Sequence, residues 1–344
     1  MDIRCAPAIV EAVVQRAREG VYGYTDLPGD HTAVVVARLR QEHGWDVPDE
    51  HVVSAQRIVQ MVALALRSST EPGDGVLLFT PSYGPLERAI ELNQRRPVRV
   101  PLLLQSGSYG LDRRAVAEAL PHVAAALLVN PHNPVGKVWT RDELMWLAAR
   151  FRQHNVLVLS DDVHMDFVRA GHRHHFLAQL DDGVADRSIT FTSPAKSFNI
   201  LGLETTHAII PNDALRRRMR HELQAGGFHN PSFFSDVATR AAYQHSATWL
   251  DDVRGIVESN LERLRHTLIG LRDHVLIEPE GTFLAWVDAR PTSEEELRRL
   301  WGAGAHLAPS YGTDFGPEYA GFLRVNLATP TEIFSQAMSR LSAA

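Results

Sequence analysis

Short apolar runs alternate with helix-like segments over the first two-thirds of the chain, and this alternation restricts the fold more than any other feature. Four runs are bounded by turn residues and have the character of strands buried on both faces: VLLFT (76–80), AALLVN (125–130), VLVLS (156–160) and SITFT (188–192). Between two of them, the segment 140–155 begins with a Thr140–Glu143 capping box and carries an apolar stripe at helical spacing. Strands that alternate with helices predict βαβ units and a mostly parallel sheet.

After about residue 225 the pattern changes. Its predicted elements are a long helical stretch at roughly 235–272, strands at 282–288 and 322–328, a capping box at Ser293 and Glu296, and a last helix from Thr331. The segment 7–20 is an early helix, with Pro7 at its start and Gly20 at its end. We therefore expect an α/β fold, with a large domain at 21–225 and a smaller α+β domain formed by 1–20 and 226–344.

Composition argues against several classes of function. A net charge of −6 and the lack of a dense basic stretch with interleaved aromatics argue against nucleic acid as a partner. The sequence has no apolar run of roughly 18 residues and no secretory signal pattern, so no membrane association is expected. Cys5 is the only cysteine, which suits a reducing compartment and predicts a cytoplasmic protein. The histidines of GHRHHF (171–176) are interpreted as a surface loop, and no metal is expected.

Three polar residues follow predicted strands at the edge where ligands of open parallel sheets bind. Asn133 follows the strand at 125–130, Asp161 follows the next one, and Lys196 follows the strand at 188–192. The separations are 28 residues (161 − 133) and 35 residues (196 − 161), each long enough for one strand–helix–strand repeat. The three side chains can therefore converge on one cleft.

The lysine is the most informative of the three. Lys196 and Lys137 are the only lysines, although Lys and Arg together number 35. An amine can condense with an aldehyde, whereas a guanidinium cannot, and the matching aldehyde is pyridoxal 5′-phosphate. Its pyridine nitrogen needs a carboxylate such as Asp161, and its ring hydroxyl needs a donor such as Asn133. The alternative for each residue alone is ordinary: a solvated lysine, or an aspartate that caps a helix.

Six segments in order along the chain carry a family resemblance: VYGYTDLP (21–28), NPHNPVGKVWTRDEL (130–144), SDDVHMDFV (160–168), SPAKSFNILGL (193–203), EGTFLAWVD (280–288) and FLRVNLATP (322–330). The sequence resembles the fold-type I pyridoxal-phosphate enzymes, the aminotransferase class I/II superfamily. Within it, the sequence is most similar to the cystathionine β-lyase and cysteine C–S lyase branch. The resemblance implies pyridoxal 5′-phosphate as cofactor, an amino-acid substrate and a homodimer with shared active sites. It also implies a further N-terminal segment that this sequence lacks.

The resemblance assigns roles around the cofactor ring. Lys196 matches the Schiff-base lysine, and Asp161 matches the partner of the pyridine nitrogen. His164 matches a histidine close to the cofactor. Asn133 matches the ring-hydroxyl ligand and Tyr83 an aromatic that stacks on the ring, and both also face the substrate. The alternative for Tyr83 is a core tyrosine with a satisfied hydroxyl.

Further roles concern the phosphate and the substrate carboxylate. Ser193 matches a phosphate ligand. Tyr24 matches a tyrosine that reaches the phosphate of the neighbouring subunit, and we group it with Lys196 and Asp161 as catalytic. Gln56 and Arg57 stand where a helix N-terminus receives the phosphate; Arg57 could add charge there, crowd the site or point to solvent. Arg324 matches the arginine that holds the substrate α-carboxylate with its guanidinium fork.

These roles predict a carbon–sulfur β-lyase that converts L-cysteine S-conjugates or cystathionine to a thiol, pyruvate and ammonia, with Lys196 as the general base at Cα. An aminotransferase on the same scaffold would use the same lysine, aspartate and arginine, and it remains the first alternative. The second alternative is a regulator or inactive relative that keeps the fold and binds a partner. Pyruvate and thiol as products indicate the lyase, whereas conversion of a keto acid to an amino acid indicates the transferase.

Overall fold

The fold was analysed in a computed structural model that describes residues 1–228 and 230–343. Its strands are β1 Val52–Ala55, β2 Gly75–Thr80, β3 Arg96–Pro101, β4 Leu103–Gln105, β5 Ser108–Gly110, β6 Ala125–Val129, β7 Leu157–Asp161, β8 Ser188–Thr192, β9 Thr206–Ile209, β10 Val275–Ile277, β11 Leu284–Asp288, β12 Ser310–Tyr311 and β13 Phe322–Asn326. Its α-helices are α1 Pro7–Arg18, α2 His31–His43, α3 Ile58–Ser69, α4 Gly84–Leu92, α5 Arg113–Ala119, α6 Arg141–Gln153, α7 Leu177–Leu180, α8 Asp182–Ala185, α9 Pro194–Ser197, α10 Asp213–Ala225, α11 Ser235–His245, α12 Ala247–Ile269, α13 Glu294–Leu297 and α14 Thr331–Ala343.

A seven-stranded sheet in the order β1-β9-β8-β7-β6-β2-β3 forms the centre of the larger part of the chain. The strands from β8 to β3 run parallel to one another, and β9 runs antiparallel to both β8 and β1. The four apolar runs are β2, β6, β7 and β8, and every residue in these strands is buried. The expected α/β fold with a mostly parallel central sheet is therefore confirmed.

Helices cover both faces of this sheet, which explains why its central strands need no polar face. Met61 of α3 and Met219 of α10 pack in one apolar cluster with alternate residues of the strands. Leu147 and Phe151 of α6 pack in a second cluster on the opposite face. Helix α6 begins at the predicted capping box, in which the Glu143 backbone N–H donates to the Thr140 hydroxyl at 3.2 Å.

A second sheet, in the antiparallel order β10-β11-β13-β12, follows in the last third of the chain. Its core also takes in α1 from the beginning of the chain, where Ile9 is buried, and α14, where Phe334, Ala337, Met338 and Leu341 are buried. The long helical stretch expected at 235–272 is two helices, α11 and α12. They separate at Ser246, whose hydroxyl donates to the Ala241 carbonyl at 2.8 Å in a non-helical backbone conformation. The division into two domains stays a prediction.

Gln56 and Arg57, expected at a helix N-terminus, lie between the end of β1 at Ala55 and the start of α3 at Ile58. Within residues 1–228 and 230–343, no helix combines the length and apolar character needed to cross a membrane.

Candidate active site

A cavity of about 550 Å³ opens where β7 and β8 end and α3 begins. It brings together six of the residues that the sequence singles out: Gln56, Arg57, Tyr83, Asp161, Ser193 and Lys196. Residues from neighbouring helices, turns and β9 complete the wall: Ile58, Val59, Pro85, Val163, Ala195, Leu201, Gly202, Thr205 and Thr206. The parallel strands deliver Asp161 and Lys196 to one edge of the sheet, as the strand-end argument predicts.

Lys196 lies in the short helix α9, which is fixed on both sides of the lysine. The Ser193 hydroxyl accepts the Ala195 N–H at 3.0 Å and caps the helix. The Ser197 hydroxyl donates to Asp166 at 2.6 Å, and Asp166 is in turn paired with Arg38 at 2.9 Å. Burial lowers the pKa of Lys196, and the charge of Asp161 opposes that shift. A larger share of the amine is therefore neutral than in a solvated lysine.

Asp161 ends β7 and is 6% exposed. Burial raises the pKa of this carboxyl to about 7, with a further increase from Asp162 and an opposing effect of Lys196. Its hydrogen bond within the described residues is a long one, in which the Val163 N–H donates to Oδ1 at 3.3 Å. A buried carboxylate with this little support is well placed to receive a cationic N–H from a bound group.

Arg324 of β13 approaches from the second sheet. Its Nη1 donates to the Asn133 side-chain oxygen at 3.0 Å and its Nη2 donates to the Ser310 hydroxyl at 2.9 Å. The guanidinium also lies over the Phe315 ring, 4.9 Å from its centroid. Both hydrogen-bond partners are neutral, and no carboxylate of the described residues lies within ion-pair distance of Arg324. Its charge is therefore available to an anionic ligand.

His164 is buried beside Phe283, with the ring centroids 5.2 Å apart. Burial, together with the charges of Lys196 and Arg324, lowers the pKa of His164 well below its usual value, so the imidazole is neutral. Its Nδ1 is buried and has no hydrogen-bond partner among the residues the structure describes. A buried polar atom without a partner is expected where a ligand supplies the missing contact.

The opposite end of the cavity is built from the start of α3 and the start of β9. Helix α3 has no side-chain cap, so its first N–H groups are open to an anion. The Thr206 hydroxyl donates to the Gln56 carbonyl at 3.2 Å. The Ser193 hydroxyl lines this end but donates its proton to the Thr205 carbonyl at 2.5 Å. As placed, Ser193 could bind a phosphate only by exchanging that partner.

Tyr24 lies apart from the cavity. Its side chain is 98% exposed, and the neighbouring Val21 and Tyr22 are 70% and 63% exposed. Within one chain, Tyr24 therefore does not contribute to the cavity wall, and Asn133, His164 and Arg324 are not among the residues that line it either.

The histidine segment 171–176 differs in part from its interpretation as a surface loop. His174 is buried, and its Nε2 lies 3.1 Å from Asp162 Oδ1. The polar and aromatic residues of this segment show no sequence pattern that indicates the burial of His174. In the described parts of the chain, no three His, Cys, Asp or Glu side chains are grouped so as to hold a metal ion.

Sequence reasoning missed Thr205, Thr206 and Ser310. Both threonines follow the lysine segment; Thr205 precedes β9 and Thr206 begins it, so a strand prediction there would have located them. Ser310 belongs to the two-residue strand β12, which is too short to leave a recognisable pattern.

This set of side chains fits pyridoxal 5′-phosphate. Lys196 offers an amine of lowered pKa, Asp161 a buried carboxyl with room for a cationic partner, and the start of α3 an uncapped helix end for a phosphate. The unpartnered Nδ1 of His164 marks an unmet contact within this chain.

Comparisons with known proteins point the same way. Residues 3–341 match the family model for aminotransferase class I and II. The chain is 33% identical over 349 residues to cystathionine beta-lyase PatB of Bacillus subtilis, covering 100% of this chain and 90% of that protein. Cystalysin from Treponema denticola, solved with pyridoxal 5′-phosphate, superposes with a TM-score of 0.96 at 28% identity, covering 100% of this chain and 88% of the other. The PLP-bound C–S lyase from Staphylococcus hominis gives a TM-score of 0.92 at 28% identity, covering 100% and 89%.

Proposed function

The chain belongs to the aminotransferase class I and II family, and we propose that it is a pyridoxal-phosphate-dependent C–S β-lyase acting on L-cysteine S-conjugates or cystathionine. The observation that carries the proposal is the meeting of Lys196 and Asp161 in one cavity, with an Arg324 guanidinium that pairs with no carboxylate among residues 1–228 and 230–343. The similarity to C–S lyases, rather than the fold alone, supports the reaction type.

Bound pyridoxal 5′-phosphate supplies an aldehyde that joins to an amine and a pyridine ring that withdraws electrons from the adjacent Cα. Lys196 provides the protein amine for that bond. Asp161 would accept the pyridine N–H, and a cation beside it would lower the pKa that burial raises. Asn133 and Tyr83 are proposed to hold the ring hydroxyl and the ring face.

On the substrate side, Arg324 binds the α-carboxylate with its guanidinium fork, supported from behind by Ser310 and Asn133. Once the substrate amine has replaced Lys196 on the cofactor aldehyde, Lys196 would again be a free amine. With its pKa lowered by burial, it would take the proton from Cα as general base. The C–S bond then breaks and the sulfur leaves with its electron pair as a thiolate. With one water consumed, the products are a thiol, pyruvate and ammonia.

A homodimer belongs to this proposal. Val21, Tyr22 and Tyr24 form an apolar and aromatic segment that is 63–98% exposed in the single chain. A second copy would cover this segment and bring Tyr24 to the phosphate end of the neighbouring site. Light scattering that gave the mass of one chain at micromolar concentration would contradict this part.

We also place the enzyme in the cytoplasm. The support is compositional: Cys5 is the only cysteine, so no intrachain disulfide can form, as suits a reducing compartment. Fractionation of the native source, followed by antibody detection, tests this assignment.

The test of the function uses the two lysines of the chain as a matched pair. Lys137 is buried and pairs with Glu143 at 2.9 Å, away from the cavity. With pyridoxal 5′-phosphate and a panel of cysteine S-conjugates, the unaltered protein should release pyruvate and thiol. Lys196→Arg should abolish both turnover and the visible absorbance of the bound cofactor, whereas Lys137→Arg should keep both.

Three results would contradict the proposed function. Amino-acid formation from a keto acid without pyruvate release would indicate the aminotransferase. Cofactor binding without either reaction would indicate a regulator. Full activity in Lys196→Arg would remove this lysine from the reaction and overturn the proposal.

A further inference from the structure

An ion pair stands at the phosphate end of the cavity. Arg57, the residue before α3, donates from Nε to Glu204 Oε1 at 2.8 Å, and its Nη2 donates to the same oxygen. Glu204 follows the single 3₁₀ turn Leu201–Leu203 and has a left-handed backbone conformation with φ of +52°. Arg57 lines the cavity, as do Leu201, Gly202 and Thr205 around Glu204.

The two side chains of the ion pair differ in how freely they can move. The Arg57 side chain is 66% exposed, whereas the Glu204 side chain is 26% exposed. The carboxylate is therefore the better-fixed partner, and the guanidinium is the one that can turn. Glu204 uses the Nε–Nη2 edge of Arg57, which leaves N–H groups on Nη1 and Nη2 for a second anion.

The charges of the pair cancel where a phosphate would bind. The uncapped start of α3 offers N–H groups and a partial positive charge. Arg57 would add a full positive charge, but Glu204 neutralises it from the side and repels an incoming dianion. A phosphate would therefore have to share the guanidinium with Glu204 or take Glu204's place on it.

We propose that Glu204 and the cofactor phosphate compete for Arg57, so that this ion pair weakens cofactor binding and makes the cofactor easier to release. The inference rests on the proposed function, because it requires pyridoxal 5′-phosphate in this cavity. In this proposal Arg57 supplies the positive charge that binds the phosphate. Glu204 controls how much of that charge is available. Glu204 is then a positioning residue that acts on the cofactor through Arg57.

The test changes one charge at a time in the full-length protein. Glu204→Gln keeps the size of the side chain and an oxygen that can accept from Arg57, but it removes the negative charge. We expect the dissociation constant for pyridoxal 5′-phosphate to fall about three- to ten-fold, the range for charges a few ångströms apart near a protein surface. Arg57→Gln should raise it by a similar factor, because Glu204 then faces the phosphate alone.

Three probes distinguish the contribution of the phosphate to binding from that of the rest of the cofactor. Dissociation constants are measured by absorbance titration with pyridoxal 5′-phosphate and with pyridoxal, which has the aldehyde but no phosphate. Inorganic phosphate is added as a competitor in a second series. Glu204→Gln should tighten binding of pyridoxal 5′-phosphate and of inorganic phosphate while leaving pyridoxal unchanged, and the gain should shrink at high salt.

Glu118→Gln is the matched control. Glu118 accepts from Arg114 Nε at 2.9 Å in an exposed ion pair on α5, outside the cavity wall. This variant should bind all three probes like the unaltered protein.

The outcomes are distinguishable from failure of the proposed function. If Glu204→Gln binds pyridoxal 5′-phosphate equally or more weakly, or changes pyridoxal binding to the same extent, the competition is refuted while the enzyme assignment stands. If the unaltered protein develops no cofactor absorbance with either aldehyde, the proposed function fails and this inference falls with it.

Discussion

Replacing Asp161 by asparagine should stabilise the cofactor-free protein, and the gain should grow with pH. The carboxyl is buried at the end of β7, and burial raises its pKa from an ordinary value of 3.8 to about 7. Between these two pH values the folded chain keeps a proton that the unfolded chain has released. The unfolding free energy therefore falls as pH rises through this window and levels off above about pH 7.

The size of the effect follows from the shift in pKa. Each pH unit between the two values costs about 1.4 kcal/mol, so the full penalty of the charged carboxylate is on the order of 4 kcal/mol. Between pH 5 and pH 8 the penalty grows by about 2 to 3 kcal/mol, and asparagine does not titrate. The Val163 N–H can still donate to the amide oxygen, so the structural change is small.

The assay is urea unfolding of both proteins at pH 5 and pH 8 without cofactor. Comparing the change with pH cancels any constant offset caused by the substitution. Stability curves that stay parallel across this range would refute the reasoning, because they would mean that Asp161 has the same pKa in the folded and unfolded states. With pyridoxal 5′-phosphate bound the order should reverse, because the ring N–H then stabilises the charged carboxylate.

Three further predictions concern other parts of the chain. Asp166→Asn should cost about 3 to 5 kcal/mol of unfolding free energy, because it removes one partner of a buried ion pair. Asp251→Asn, which breaks an exposed pair, should cost at most about 1 kcal/mol. Equal losses in urea unfolding would contradict this prediction. Arg324→Lys should lower kcat/KM for the amino acid about 10- to 100-fold while the absorbance of the bound cofactor stays the same, because lysine keeps the charge and loses the fork; unchanged kcat/KM would remove the carboxylate role. Co-expressed Tyr24→Ala and Lys196→Ala chains should recover about a quarter of the activity, from mixed dimers with one intact site; no recovery would argue against shared sites.

The sequence predicts the central strands because burial on both faces leaves them no polar positions. Strands β2, β6, β7 and β8 are continuous apolar runs, and their order also fixes where Asp161 and Lys196 emerge. Strands β1 and β9 at the other side of the sheet contain Ser54 and His207 in only four residues each, so their pattern is too weak to recognise. The buried His207 depends on a partner far away, His31, with the two Nε2 atoms 3.1 Å apart.

The candidate site also contains residues that the sequence predicts and residues that it does not. Residues that the topology places at strand ends could be predicted, since neighbouring parallel strands end together. Contacts between distant segments could not. Glu204 is 147 positions from Arg57, and Ser310 meets Arg324 only because β12 pairs with β13. Side-chain contacts of this kind leave no periodic signal in the sequence.

The contacts of α1 bear on how the chain is made. Helix α1 packs against α11 and shares a core with α14, and the Asp2 N–H donates to the Ala328 carbonyl at 2.8 Å. During synthesis from the ribosome, the first helix emerges long before the segments that bury it. Its apolar face is therefore exposed to water, or bound by a chaperone, while the seven-stranded sheet assembles. Completion of this second core is therefore a late event in biogenesis, and premature termination near the carboxyl end would leave the beginning of the chain exposed.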